Sequence, residues 1–247
     1  MSKVVLITGA NRGIGKGFVT YYLSCPNTTV IAAVRDAPSE QAKQLHTLSR
    51  GGGSHLIIVS LDANSAASAA HAASEIQINH PINHIDIVIA NAGICNSWGP
   101  VLEVDESDMY THFEVNAMGP LRLFQTMAPL LQKARRPKFV YISTQLASIG
   151  GIGQNSSMTV AYGISKAAGN YLVRKIHAEN EHLIALSFDP GLVQTDMGAR
   201  AVQFLGLDVA PVTIDETVCG IAKQIDAAEK PTTSGGFFNY QGERVDW

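Results

Sequence analysis

Cysteine, aromatic side chains and charge are all scarce in this 247-residue chain, with three Cys, 7% Phe, Trp and Tyr, and 16% Asp, Glu, Lys and Arg. Cys25, Cys95 and Cys219 are odd in number, far apart and in no metal-ligand spacing, which excludes a disulfide framework and a zinc module and fits a reducing cytosol. No excess of basic residues exists either. The formal net charge is −3, and doublets such as Arg135-Arg136 stand alone, so a nucleic-acid partner is not expected. No apolar run approaches the roughly 18 residues that a spanning helix needs. The opening Met1-Ser2-Lys3 leads only into Val4-Val5-Leu6-Ile7 before Thr8-Gly9. That run is too short for a signal peptide, so neither a membrane span nor secretion is expected, and the location read from these absences is cytoplasmic. An internal repeat of fixed period and a long linker are missing as well, which points to one domain over residues 1–247.

What is present is apolar and patterned. Hydrophobic residues make up 46% of the chain, and short β-branched runs alternate with helical stretches, the signature of βαβ units around a parallel sheet. Strands are predicted near Val4–Thr8, Thr29–Val34, Leu56–Ser60, Ile85–Ala90, Phe139–Ser143, Ile184–Asp189 and Gly236–Tyr240. Helices are predicted at about 14–24, 39–49, 65–79, 106–134 (broken), 161–179 and 213–227. Parallel strands covered on both faces read as continuous apolar runs, as Val4-Val5-Leu6-Ile7 does.

Between the first strand and first helix stands Thr8-Gly9-Ala10-Asn11-Arg12-Gly13-Ile14-Gly15. Glycines there allow a tight turn and close backbone approach, and the helix start offers free N–H groups to a phosphate. Cofactor choice is read at the end of the second strand, where Val34-Arg35-Asp36 stands. A cation at that point favours a 2′-phosphate, so Arg35, with Arg12 converging from the glycine loop, predicts NADP(H); the alternative leaves Arg35 solvated and gives the ribose to Asp36. Three further strand ends meet the same crevice. Asp62 is a candidate for the adenine edge or, alternatively, the N-cap of the next helix. Asn91-Ala92-Gly93 leaves room for ribose and a backbone contact. In Pro190-Gly191-Leu192-Val193-Gln194-Thr195, Val193 and Thr195 are candidates for the carboxamide of a nicotinamide.

Tyr162 and Lys166, in Ala161-Tyr162-Gly163-Ile164-Ser165-Lys166, are four apart and therefore on one helix face. A tyrosine titrates near pH ~10, so a neighbouring ammonium that favours the phenolate is a requirement if Tyr162 is to shuttle a proton at neutral pH.

With these motifs in order and register, the chain resembles the short-chain dehydrogenase/reductase family over essentially its whole length. Thr8-Gly9 to Gly15, Asn91-Ala92-Gly93, Asn116, Tyr162 with Lys166, and Pro190-Gly191 carry the likeness. Asn170-Tyr171 and the ending Phe237 to Trp247 look most like sniffer-type carbonyl reductases and fungal ketoreductases of the norsolorinic-acid type. The resemblance implies a single-domain Rossmann fold with about seven parallel strands and helices on both faces. It also implies a tetrad of Asn, Ser, Tyr and Lys that reduces a ketone or aldehyde with NADPH. Asn116 matches the asparagine whose backbone carbonyl holds a water linking the lysine to solvent. At the serine position this chain departs, reading Ile142-Ser143-Thr144. Thr144 falls on the catalytic site; Ser148, fourteen residues before Tyr162, and Ser143 are rivals, and Thr144 requires the loop from Gly150 to Ser157 to absorb an insertion.

The pocket is expected to be lined by Cys95 to Trp98, Ile149 to Val160 and Met197 to Val209, an apolar and aromatic set that suggests a hydrophobic or aromatic, polyketide-like carbonyl substrate. Cys95 is either a reactive thiol or, more simply, a packing residue. Association as a homodimer or homotetramer through the helices near 118–134 and 161–179 is implied by resemblance only. Two readings stand outside the enzyme class: a catalytically idle NADP(H)-binding sensor, prompted by the threonine, and a structural α/β protein that binds no nucleotide.

Overall fold

The computed structural model describes residues 2–154 and 158–247; Asn155 to Ser157, within the loop expected to absorb the insertion, lie outside the described residues. Seven strands form one sheet: β1 (Lys3–Thr8), β2 (Thr28–Val34), β3 (His55–Ser60), β4 (Ile87–Ala90), β5 (Lys138–Ile142), β6 (Ile184–Asp189) and β7 (Phe237–Asn239). Their order is β3-β2-β1-β4-β5-β6-β7 and every neighbouring pair is parallel. Parallel strands need crossovers, and helices supply them. They are α1 (Gly13–Ser24), α2 (Glu40–Lys43), α3 (Ala66–Ile78), α4 (Glu106–Phe113), α5 (Gly119–Leu131), α6 (Val160–Glu179), α7 (Asp196–Leu205) and α8 (Ile214–Ala227).

Alternate residues of each strand feed two cores, one on either face. On one side Val5 and Ile7 pack with Phe18 and Tyr22 of α1 and Ile221 of α8. On the other, Leu6, Phe139 and Tyr141 pack with Leu123 of α5 and Val173 of α6. The chain runs from β1 outward to β3 and then returns to place β4 on the other side of β1. That reversal opens a crevice beyond the carboxyl ends of β1 and β4, where such sheets bind ligands.

Several boundaries differ from the sequence expectation for local reasons. β4 starts at Ile87 rather than Ile85, because the Asp86 carboxylate takes the Val4 N–H (2.8 Å) and the Ile85 N–H goes to Leu130 O (3.1 Å). The helix expected over 39–49 is α-helical only at Glu40–Lys43 and continues as a 3₁₀ turn, Gln44–Thr47, since it buries only Ala42 and Leu45. The break expected within 106–134 is a π-helical turn, Glu114–Met118, which contains Asn116. Helix α7 lies where only a pocket-lining segment was expected. Thr195 caps its start by accepting the Gly198 N–H (3.1 Å), and Gly206, at φ 67°, ends it.

The far end of α6, the helix that carries Tyr162, is anchored by Lys230, whose Nζ donates to His177 O (2.7 Å), Asn180 O (2.6 Å) and Leu183 O (3.0 Å). Among the described residues no helix is long and apolar enough to cross a membrane.

The turn into α1 tolerates no extra atom at Gly15, where a Cβ would lie 2.1 Å from Gly9 O and 2.6 Å from Asn91 Nδ2. Gly15→Ala is expected to cost about 1–3 kcal/mol of unfolding free energy, read by urea denaturation. Gly52→Ala, with nothing within 4 Å of the added carbon, serves as the control and should stay within about 0.5 kcal/mol.

Candidate active site

The crevice begins with a backbone cradle. Gly9 and Gly13 hold φ of 63° and 52°, a left-handed conformation that favours glycine. Arg12, extended at φ −154°, offers α1 no side-chain cap. Ser65, Asp105, Thr195 and Thr213, in contrast, cap α3, α4, α7 and α8. Helix α1 therefore opens on bare N–H groups at its positive dipole end, with Ile14 packed behind them on the core. Asn11 donates to Gln41 Oε1 at 3.3 Å and flanks the same turn.

Asn91, at the strand end expected to make room for a ribose, braces this cradle. Its amide donates to Thr8 O (2.9 Å) and Gly9 O (3.4 Å), while Thr8 Oγ1 accepts the Asn91 and Ala92 N–H groups at 3.0 Å each. Two residues on, a Cβ at Gly93 would lie 3.0 Å from Asn116 Oδ1 and 3.3 Å from Lys166 Nζ. Cradle and lysine are thus joined by three residues.

Lys166 and Tyr162 share the buried face of α6. The Lys166 ammonium donates to Ile142 O at 2.7 Å and lies 5.8 Å from the centre of the Tyr162 ring. Asn116 staples the surroundings together: its Oδ1 accepts from Ile94 N (2.9 Å), and its Nδ2 donates to Ile94 O (2.9 Å) and Ser165 Oγ (3.0 Å). Its backbone carbonyl, expected to hold a water, accepts the hydroxyl of Tyr141 at 2.8 Å. No sequence motif singles out Tyr141. Its only signal is its position, one strand residue before Ile142.

Of the three hydroxyl candidates, Thr144 follows the end of β5 in extended conformation, and its Oγ1 accepts a long 3.3 Å bond from Leu146 N. Ser148 Oγ accepts from Gly151 N at 2.9 Å and so closes a local turn. Ser143 Oγ is buried and has no partner among the described residues. Asp189 closes the floor by accepting from Gln145 N at 2.9 Å.

Two elements close the crevice from the other side. Gly191, at φ 75°, turns the chain after β6, and Pro190 O accepts the Thr217 hydroxyl at 2.9 Å. Val193 is buried, and the Thr195 hydroxyl is used as the α7 cap; Thr195 also meets the cradle, since a Cβ at Gly13 would lie 3.3 Å from its Cγ2. In this ligand-free chain the Arg12 guanidinium forms an exposed pair with Asp196 at 3.2 Å, because α7 presents that carboxylate at its first turn. Arg35 is exposed at the end of β2 and joins no ion pair among the described residues. Asp62 is not the α3 cap, which is Ser65; its Oδ1 accepts from Asn64 N at 3.0 Å.

At the mouth, the loop after β4 is tied to the residues before α6 by Gly99 N donating to Met158 O (2.8 Å). Trp98 and Phe204 of α7 face each other across it, with ring centres 6.2 Å apart. Val101, Leu102, Ile149, Ile152, Leu205 and Leu207 are exposed on the same three segments.

Burial governs the electrostatics. It pushes the Tyr162 phenol well above its ordinary value, with the Cys95 thiol and the Asp189 carboxylate adding to the rise. It pulls Lys166 down to about 7, which Cys95 partly opposes. Cys95 itself is raised to about 11 by burial, against the pull of Arg200 and Lys166, so it is a packing thiol rather than a reactive one.

Comparison with known proteins gives a consistent picture. The short chain dehydrogenase family matches residues 3–205. Norsolorinic acid ketoreductase stcE of Emericella nidulans is 42% identical over 246 residues, covering 99% of this chain and 93% of the relative. The norsolorinic acid ketoreductase of Aspergillus parasiticus is 38% identical over 247 residues, covering 99% and 91%. Among solved structures, the NADPH-bound carbonyl reductase from chicken fatty liver superposes with a TM-score of 0.87 at 30% identity, covering 100% of this chain and 99% of that one. Carbonyl reductase Sniffer of D. melanogaster superposes with a TM-score of 0.86 at 25% identity, covering 100% of both.

The depressed Lys166 has a consequence for stability. An unfolded lysine titrates near pH ~10.4, so between about 7 and that value the unfolded chain binds the extra proton and this residue makes stability rise with pH. Lys166→Met removes the dependence. The difference in urea midpoint between wild type and variant is expected to shift in favour of wild type from pH 7 to pH 10; a difference constant across that range would contradict the depressed value.

Proposed function

The chain belongs to the short-chain dehydrogenase family, and on that premise we propose that residues 1–247 form one NADP(H)-binding domain that reduces a hydrophobic, aromatic ketone or aldehyde to its alcohol. The observation that carries this reading is the three-residue link from the cradle at Gly9 to the ammonium of Lys166, by which a phosphate held at the cradle would lie on the same crevice as Tyr162 and Lys166. The fit to a dinucleotide rests on that cradle, where glycines stand at left-handed φ before an uncapped helix. Gly9 to Gly15 would hold the phosphates, Arg35 the 2′-phosphate, Asp62 the adenine edge, Ala92 and Gly93 the ribose side, and Gly191, Val193 and Thr195 the carboxamide. When bound, the nicotinamide supplies hydride to the carbonyl carbon.

The chain's own residues handle the oxygen. Tyr162 donates its phenolic proton to the carbonyl oxygen as charge develops there. Lys166, in cationic form, favours the phenolate that remains. Thr144 donates a hydrogen bond to the same oxygen, and its χ1, stiff because the residue is β-branched, keeps the hydroxyl aimed. Asn116 holds the loop after β4 against Ser165, so that wall and helix keep one spacing. Trp98 and Phe204 suit a flat aromatic ring system, in line with the ketoreductase names of the fungal relatives. Association as a homodimer or homotetramer would use the helices near 118–134 and 161–179, and on the second of these Ile164 and Tyr171 are exposed.

A second reading, NADP(H) binding without turnover, is favoured by the threonine in place of the usual serine. Assays with NADPH and a panel of aromatic ketones separate the two. Turnover is expected, and Tyr162→Phe should lower kcat by about 10²- to 10⁴-fold; binding of NADPH with no turnover across the panel would support the second reading. Thr144→Ala is expected to lower kcat while Ser148→Ala leaves most of it, and the reverse outcome would move the hydrogen-bond donor to Ser148. Arg35→Asp is expected to weaken NADPH binding far more than NADH binding, measured by fluorescence titration; equal losses would remove the phosphate-clasp role.

A further inference from the structure

Lys166 is buried, yet among the described residues no carboxylate pairs with it. Its only hydrogen-bond acceptor among them is Ile142 O, at 2.7 Å. A buried ammonium needs more than one neutral carbonyl to stay charged. The nearest ring beside it presents an aromatic face. Tyr141 of β5 presents its ring with the centre 4.6 Å from Nζ, nearer than the 5.8 Å of the Tyr162 ring.

That ring is built into its place. Tyr141 has 0% exposure, and its hydroxyl is tied to Asn116 O at 2.8 Å, inside the π-helical turn. Opposite it, α6 carries Gly169, where a Cβ would lie 2.3 Å from the Tyr141 hydroxyl oxygen and 2.4 Å from Cζ. The helix is notched for this ring three residues after the lysine. We propose that Tyr141 is a positioning residue for Lys166, its ring face holding the buried ammonium charged and in place while its hydroxyl fixes the ring through Asn116.

The other groups facing Lys166 do not supply that stabilisation. From α6 there is the neutral Tyr162 phenol. From the loop after β4 there is the Cys95 thiol, itself raised by burial, and Arg200 of α7, near Cys95, carries the wrong sign. Asp189 at the end of β6 acts on Tyr162 and spends its Oδ1 on Gln145 N. The neutral amide of Asn116 completes the shell. The consequence for catalysis rests on the proposed role of Tyr162 and Lys166 as the proton pair; the holding of the charge does not.

Titration of the ligand-free protein tests the proposal directly. The Lys166 ε-methylene signal is followed by NMR in ¹³C-lysine-labelled protein and identified by its loss in Lys166→Met. Tyr141→Leu removes the ring and is expected to lower the Lys166 midpoint by about one pH unit, the shift that a desolvated cation–π contact corresponds to. Tyr141→Phe keeps the ring and should leave the midpoint within about a third of that shift. Where Tyr141→Leu does not fold, Gly169→Ala displaces the ring and should move the midpoint in the same direction. An unchanged midpoint in Tyr141→Leu or Gly169→Ala, or an equal fall in Tyr141→Phe, overturns the proposal. In carbonyl reduction the high-pH limb of kcat/KM is expected to fall with the NMR midpoint in Tyr141→Leu. A shifted NMR midpoint with a Tyr162→Phe variant of full activity would leave the charge-holding role standing while removing the catalytic reading.

Discussion

Thr8 ends the first strand with a hydroxyl that accepts two backbone N–H groups, from Asn91 and Ala92, and Asn91 answers by donating to the carbonyls of Thr8 and Gly9. This four-bond clasp locks the ends of β1 and β4 together at the point where the strand order reverses. Everything that gives the crevice its character is measured from it. The glycine turn on one side can keep its left-handed residues because Asn91 satisfies carbonyls that the turn exposes, and on the other side Gly93 delivers the chain to within contact of Asn116 and Lys166.

Beyond the clasp, the site is a problem in buried polarity. Tyr162 and Lys166 are both withdrawn from water, which raises the one and lowers the other. The surrounding groups are correspondingly committed. The Asn116 side chain bonds to two backbone atoms and a serine hydroxyl, its backbone carbonyl to a buried phenol, and Asp189 to the amide of Gln145. Few of these atoms are left free to rearrange, which favours a site that is rigid before substrate arrives. Beneath it, Ser143, Ser187 and Asn170 keep buried polar atoms without partners among the described residues, so the underside of α6 is polar as well.

The mouth follows a different logic. Helix α7 and the loop after β4 carry large apolar side chains that stay exposed, and the Trp98 and Phe204 rings bridge the two. Apolar surface of this kind is what a greasy substrate would cover. It sits on elements held mainly by caps and short backbone contacts, such as Thr195 to Gly198 and Gly99 to Met158, rather than by the sheet.

By itself the sequence determined the strand and helix alternation, the glycine turn and the Tyr162 to Lys166 spacing, because each is a local pattern: apolar runs, turn glycines and a helical repeat. It also held the signals for α7, a threonine cap and a terminal glycine, although the segment between them reads equally well as a loop. Only the tertiary structure decided what lies across a strand or between elements. It set Asn91 as a brace between the ends of β1 and β4, engaged Arg12 with Asp196, gave the α3 cap to Ser65 rather than Asp62, and set Tyr141 against both Asn116 and Lys166. These residues are separated by 25 or more positions in three of the four cases, and no periodicity links them. Their partners are chosen by strand register and helix docking. A one-residue slip in β5 would turn Tyr141 to the other face of the sheet and leave the lysine without its ring.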